Sequence, residues 1–208
     1  MPIPTSFDEL NRLVGYKRSM PIDKYFDEMP ITTEQKRLRK AFARRLEDEM
    51  VWLMSFLFYT RDNPQYMMAL EEIRERYREC ADRDLLFDAY VAERINRATA
   101  DIVSATSRHE DDPYFYSKDR ARLISENESN TIWSYTEYEN AIKNKSYKRW
   151  RTIMDGHERD SHAEVNGVVM PINEPFVLAG GLLQYPRDES YSPSDEEIIA
   201  CRCGIEFF

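Results

Sequence analysis

Apolar residues recur at three-to-four spacing through the first two-thirds of the chain, and give way to short, bulky runs broken by turns after about residue 146. The first sustained pattern predicts a helix over residues 32–59, opened by Thr32 with Gln35 three positions on as a reciprocal cap and stopped by "RDNP". A second helix, roughly 64–79, carries Tyr66, Leu70, Ile73 and Tyr77 on one face. A third, about 84–107, carries Leu86, Tyr90, Ile95 and Ile102. Ser117 is a plausible N-cap for a fourth, which runs to about Lys143 with Ala121, Ile124, Trp133 and Ala141 among its core candidates. Four such helices describe a bundle-like region.

The flanks read differently. Ser6 and Glu9 form a capping box for a short helix, and the proline-punctuated "SMPIDKYFDEMPITT" predicts an extended arm up to residue 31. Past residue 146, "YKRWRTIM" has the character of a strand, "HERDSHAEVNG" that of a short helix ended by glycine, and "VVMPINEPFVLAGG" that of extended pieces joined by turns. Ser192 and Pro193 predict a helix start, with Asp195, Glu196 and Glu197 near its positive end. "CRCGIEFF" predicts a closing strand. Glycine and proline mark the same division, because between Pro64 and Trp150 there is no glycine and a single proline, Pro113. The expected fold class is α+β: an arm over 1–31, a helical region over 32–117, and a small α+β domain over 118–208 opened by the fourth helix.

Composition adds limits. At 208 residues with 42% hydrophobic content, the chain can bury a sizeable core. The apolar run at 50–59 is about half the ~20 residues that a membrane helix needs, so a buried helix and no membrane span is expected. The amino-terminal residues lack the continuous apolar stretch of a secretory signal. A formal net charge of −9 repels nucleic acid unless positive charge is gathered locally. Such a gathering exists in "KRLRKAFARR", where Lys36, Arg37, Arg39, Lys40, Arg44 and Arg45 form a patch for phosphates or for an acidic partner, or else a solvated helix surface. The three cysteines, Cys80, Cys201 and Cys203, do not form the even set of a secreted disulfide framework.

Candidate chemistry concentrates in "DGHERDSH" and "CRC". Cys201 and Cys203 with His162, completed by Asp155 or His157, have the donor types of a tetrahedral zinc site. On a strand the two cysteines share a face. The competing reading makes them two small buried side chains. A disulfide within C-x-C strains the bridge. Asp155, His157 and His162, with Glu128, could instead act as acid, base and metal ligands for phosphodiester hydrolysis. A third reading, preferred on the residues, is a structural network in which Arg159 and Arg202 pair carboxylates such as Asp155 and Glu128.

An ordered series of residues then carries a resemblance. "RLISENESN" with Glu128 and Ser129 leads into Trp150, Thr152, Asp155, Arg159, His162, Gly167 and Phe176, followed by "LAGGLLQYPRD" with Tyr185 and Pro186, and finally "CRC" around Arg202. From about Ala121 to the last residue this resembles the phage head morphogenesis family, the minor capsid proteins similar to protein F of phage Mu. The resemblance implies a non-enzymatic minor component of a tailed-phage head, made in the host cytoplasm and incorporated into the virion. It implies the portal protein and other head proteins as partners, with contact to packaged DNA and a role in its exit. A metal-dependent nuclease or hydrolase is the alternative.

Overall fold

The computed structural model describes residues 22–84 and 87–208; the Ser6–Glu9 cap, the arm before residue 22 and Leu86 lie outside the described residues. The architecture is α+β, with long helices first and short antiparallel strands after them. The described chain divides into two compact units, one comprising Ala41–Glu126, the other comprising Asp23–Lys40 and Asn127–Phe208.

The first unit is helical. It contains most of α2 (Thr33–Thr60), all of α3 (Tyr66–Arg83) and α4 (Ala89–Arg108), a 3-10 turn (Pro113–Tyr116), and the start of α5 (Lys118–Ala141). The apolar run expected to be buried is so: Met50, Leu53 and Met54 are fully covered on α2, in line with Leu46 and Phe42 one and two turns earlier. Helix α3 buries Ala69, Ile73, Tyr77 and Cys80, so its stripe starts one residue round from the expected Tyr66 and Leu70. Helix α4 starts later than the periodicity predicts, because the Asp88 carboxylate accepts the Val91 amide at 2.9 Å and sets the first turn there. Among the described residues Arg120 is buried inside this unit. Arg120 donates to Thr106 Oγ1 (2.6 Å) and to the carbonyls of Phe115 (2.7 Å) and Ile102 (3.1 Å), and burial lowers its pKa to about 10.

The second unit is mixed. Residues expected as an extended arm form a helix instead, α1 (Ile22–Asp27), with Pro21 just before its first residue and Pro30 just beyond its end. Proline is tolerated at a helix start and ends one that reaches it, so the same prolines that suggested an arm bracket a helix. Thr32 and Gln35 cap α2 reciprocally, as the sequence predicts, with the Thr32 amide donating to Gln35 Oε1 at 2.8 Å.

Three strands form an antiparallel sheet in the order β2 (Val169–Pro171), β1 (Tyr147–Arg151), β5 (Gly204–Phe207), with Trp150 opposite Ile205. A hairpin of β3 (Phe176–Leu178) and β4 (Gly181–Leu183) is separate. Trp150, Val165, Phe176, Leu178, Leu183, Tyr185 and Ile205 pack with the two carboxy-terminal cysteines into this unit's apolar core. Short helices connect the strands. Helix α6 (Asp160–Glu164) is ended by Gly167 in the left-handed region at φ +80°, and α7 (Asp195–Ile198) starts after Ser194 rather than at Ser192 and Pro193. Ser192 itself lies at φ +51°, which removes it from an N-cap role. The closing strand is shorter than expected, because pairing begins at Gly204 and leaves both cysteines ahead of it.

Helix α5 departs most from a simple apolar reading. Within the second unit it buries Glu128, Ser129, Asn130, Thr131 and Ser134, alongside Ile132 and Ala141. Those polar groups need internal partners, and several are cations. Arg187 donates to Thr131 Oγ1 (2.7 Å) and Asn127 Oδ1 (3.0 Å), and Arg39 donates to Asn130 Oδ1 (3.0 Å).

Candidate functional site: a buried histidine–cysteine cluster

The site is assembled from three short pieces of the second unit. Helix α6 supplies His162, α7 supplies Glu197, and the segment just before β5 supplies Cys201 and Cys203. All four are buried, while Arg202 between the cysteines is half-buried, so the in–out–in alternation expected for a strand holds here without a sheet ladder. Ala200 adopts φ +55°, a left-handed conformation costing about 1 kcal/mol for a non-glycine residue, immediately before Cys201 turns inward.

His162 has a different partner on each ring nitrogen. Its Nε2 lies 2.9 Å from Glu197 Oε2, and its Nδ1 faces Cys203 Sγ at 3.3 Å and Cys201 Sγ at 3.7 Å. The Glu197 carboxylate also accepts from Ser161 Oγ (2.9 Å) and from the Gly180 amide (2.9 Å). Only glycine fits at position 180, since a Cβ there would stand 2.6 Å from Glu197 Cγ and 2.3 Å from Ser194 Oγ. The glycine-rich turn seen in the sequence thus seats the carboxylate that orients the histidine.

The surroundings are equally constrained. Trp150 stacks edge-on against His162 with ring centroids 5.6 Å apart, and its Nε1 donates to Thr152 Oγ1 at 3.1 Å. That hydroxyl donates to the His162 carbonyl at 2.7 Å, which holds the α6 segment against β1. The Cys201 carbonyl accepts from Asn130 Nδ2 (3.1 Å) and Tyr25 Oη (3.2 Å). Electrostatically the two thiols separate. Cys201 is pulled well below the ordinary thiol range by the hydrogen bond from Cys203 and by His162, while that same bond pushes Cys203 upward. Burial opposes protonation of His162, but Cys201 and Glu197 outweigh it and its pKa is raised.

Other residues singled out by sequence fall outside this cluster. Asp155 is exposed and pairs with Arg202 Nη2 at 2.8 Å, and its other oxygen accepts the His157 amide at 3.1 Å. Arg202 also pairs with Glu28 at 2.7 Å, and the Arg202 guanidinium holds the Asp155 carboxyl below the usual carboxylate range. Asp155 therefore does not join the three donors His162, Cys201 and Cys203, whose ligand atoms lie within 4.8 Å of one another. The turn it forms with His157, together with Arg202, directs its carboxylate elsewhere. Arg159 donates to the Ile199 carbonyl at 2.5 Å rather than to a carboxylate. Glu128 is buried on α5. His157 is exposed on the same shallow cleft as Asp155 and the edge of His162.

The basic run is largely engaged within the chain. Arg39 is buried, 2% exposed, and grips Glu137 through two nitrogens at 2.5 and 3.0 Å, which corrects its assignment to an external contact. Lys36 and Lys40 bond to Asp27, Arg37 to Glu34, and Arg45 to Asp84, while Arg44 is exposed. Sequence reasoning missed Glu197, which nothing in "SDEEI" distinguishes from its acidic neighbours Asp195 and Glu196.

Fold and site together define a structural domain in which a short helix and the carboxy-terminal strand are tied through a buried histidine and two cysteines. A family model described as "Phage Mu protein F like protein" matches residues 89–206. The chain belongs to this family, a family of phage head morphogenesis whose members are of structural type. The match begins at the first residue of α4 and runs into β5, so it takes in more of the helical region than the motif residues alone suggested. No curated protein and no solved structure matches the chain. Among the described residues no helix is long and apolar enough to cross a membrane.

Proposed function

We propose that this protein is a minor structural component of a tailed-phage head that docks on the portal protein during head assembly in the host cytoplasm and enters the virion with it. The family match over 89–206 is the observation that carries this reading. The proposed contact is with protein rather than with DNA. The net charge is −9, and Lys36, Arg37, Arg39, Lys40 and Arg45 of the basic run already bond to acceptors of the same chain. The test is copurification. From infected cells, or from cells co-expressing the two proteins, the portal is expected to come down with this chain, while duplex DNA at low salt is not retained. Normal composition, DNA content and infectivity of heads assembled without it would sink the proposal.

The hydrolase alternative requires Asp155, His157 and His162 to converge on one scissile bond. Asp155 is engaged by Arg202, and both ring nitrogens of His162 face partners inside the core. A general base needs a free lone pair within reach of its proton. No cleavage of DNA by the purified chain with magnesium, manganese or zinc is therefore expected. Cleavage lost on His157→Ala would reinstate the enzyme.

A further inference from the structure

We propose that His162, Cys201 and Cys203 bind a zinc ion that ties helix α6 to the carboxy-terminal strand. Three lines of geometry support the assignment. Bond lengths of about 2.0 Å to imidazole nitrogen and 2.3 Å to thiolate sulfur place N and S about 3.5 Å apart around a tetrahedral ion. The observed Nδ1–Sγ separations are 3.3 and 3.7 Å, on either side of that value. The donor set, one imidazole and two thiolates, is one that zinc favours over harder cations.

The second line is the group behind the histidine. Glu197, itself fixed by Ser161 and the Gly180 amide, faces Nε2 at 2.9 Å. A carboxylate there accepts the hydrogen bond from Nε2–H, fixes the tautomer, and leaves the Nδ1 lone pair directed at the two sulfurs. Such a carboxylate–histidine arrangement is what a metal-ligating imidazole ordinarily has behind it. Ser161, Glu197 and Gly180 come from three separate segments that converge on one oxygen pair, more organisation than two buried thiols acting as small apolar side chains need.

The third line is the burial of the cysteines. The competing covalent use, a bond between Cys201 and Cys203, would close a very short ring with strained geometry, and the chain holds both as free thiols beside the imidazole. Asp155, on Arg202, is not a ligand. Among the described residues only these three donors cluster, and a small cleft lined by His157 reaches His162 and Cys203. On binding, the ion displaces whatever protons the three donors still share, and both sulfurs bind as thiolates.

The test uses the full chain, expressed with added zinc and purified without chelator. About one zinc per chain is expected by elemental analysis. Exchange for cobalt(II) should give the thiolate-to-metal charge-transfer band and the intense visible bands of a tetrahedral site. Cys203→Ser and His162→Ala are expected to lose both signals. Because those variants could simply fail to fold, Glu197→Gln is the deciding one. It keeps every ligand and the side-chain shape, and is expected to bind zinc about 10–100-fold more weakly while retaining the helical circular dichroism of the parent. His157→Ala should leave stoichiometry unchanged. A parent protein with two titratable carboxy-terminal thiols that takes up neither zinc nor cobalt overturns the proposal, as does a Cys201–Cys203 disulfide in freshly purified material.

Discussion

The two compact units hold themselves together by different means. In the helical unit, α2, α3 and α4 bury stripes of leucine, isoleucine, methionine and aromatic residues, and stability there follows apolar area. In the mixed unit a small apolar core around Trp150 is ringed by buried or nearly buried polar pairs: Arg39 with Glu137 and Asn130, Arg187 with Asn127 and Thr131, and Lys148 with Gln184. Short strands of three to five residues cannot enclose much apolar surface, so directed bonds define the structure where area cannot. Apolar stripes tolerate conservative exchange, whereas a polar core penalises loss of any single partner.

The largest effect should come from the mixed unit's apolar centre. Trp150 is fully buried and packs edge-on against Phe176 at 5.2 Å, so Trp150→Ala should cost about 4–5 kcal/mol in urea unfolding, with hydrogen exchange accelerating most in β1 and β5. Retained protection in those strands would mean that the core is not centred on this residue.

Next in size is the buried ion pair. Arg39→Ala leaves Glu137 and Asn130 without their cation and should cost about 3–4 kcal/mol. Replacing both Arg39 and Glu137 by methionine should recover most of that loss, since paired charges are no more stabilising than well-packed apolar groups. If the double variant is as unstable as the single one, the polar core contributes stability in its own right and the contrast with the helical unit deepens.

A smaller effect distinguishes the units by pH. Burial raises Glu126, at the end of the helical unit's share of α5, from 4.5 to about 8, with Arg122 opposing. The folded state then holds a proton that the unfolded state releases, so this contribution to stability is full below about pH 4.5 and is lost as pH rises through 8. Burial lowers Lys148, in the mixed unit, from 10.5 to about 8, with Asp188 opposing, so its contribution runs the other way and grows as pH rises from about 8 to 10.5. Glu126→Gln should therefore gain about 1–3 kcal/mol at pH 8 and little at pH 4.5. Equal gains at both pH values would show that ionisation is not the cause.

The smallest effect compares cysteines. Cys80 is buried on α3, and burial raises its thiol pKa to about 11, as expected for an apolar filler. Cys80→Ala should cost about 1 kcal/mol and leave metal content unchanged. Loss of metal on this substitution would move the binding site out of the mixed unit.

Much of the fold was legible in the amino-acid order because it rests on local chemistry. The Thr32–Gln35 cap, the glycine that ends α6 and the bulky strand at "YKRWR" were all readable, since each depends on neighbours within a few positions. So was the family, because its motif residues keep their order along the chain. The stretch of the arm at 22–27 that proved to be α1 and the cap at Ser192 were misread because proline and serine signal several local structures, and packing selects among them.

The partners of each polar group could be decided only by the tertiary structure. "KRLRKAFARR" states its charges but not that Arg39 would meet Glu137 from ninety-eight positions away, and "SDEEI" does not say which acid would meet His162. Asp155 and Cys203 were equally good companions for that histidine on paper, and chain folding set one on Arg202 and the other against the imidazole. The sequence by itself determined the helices, the division between helical and mixed regions, and the residues available for chemistry, because propensity and periodicity act over a few residues. Tertiary structure alone decided which of those residues share a site, because long-range contacts depend on closing loops whose direction no local pattern records.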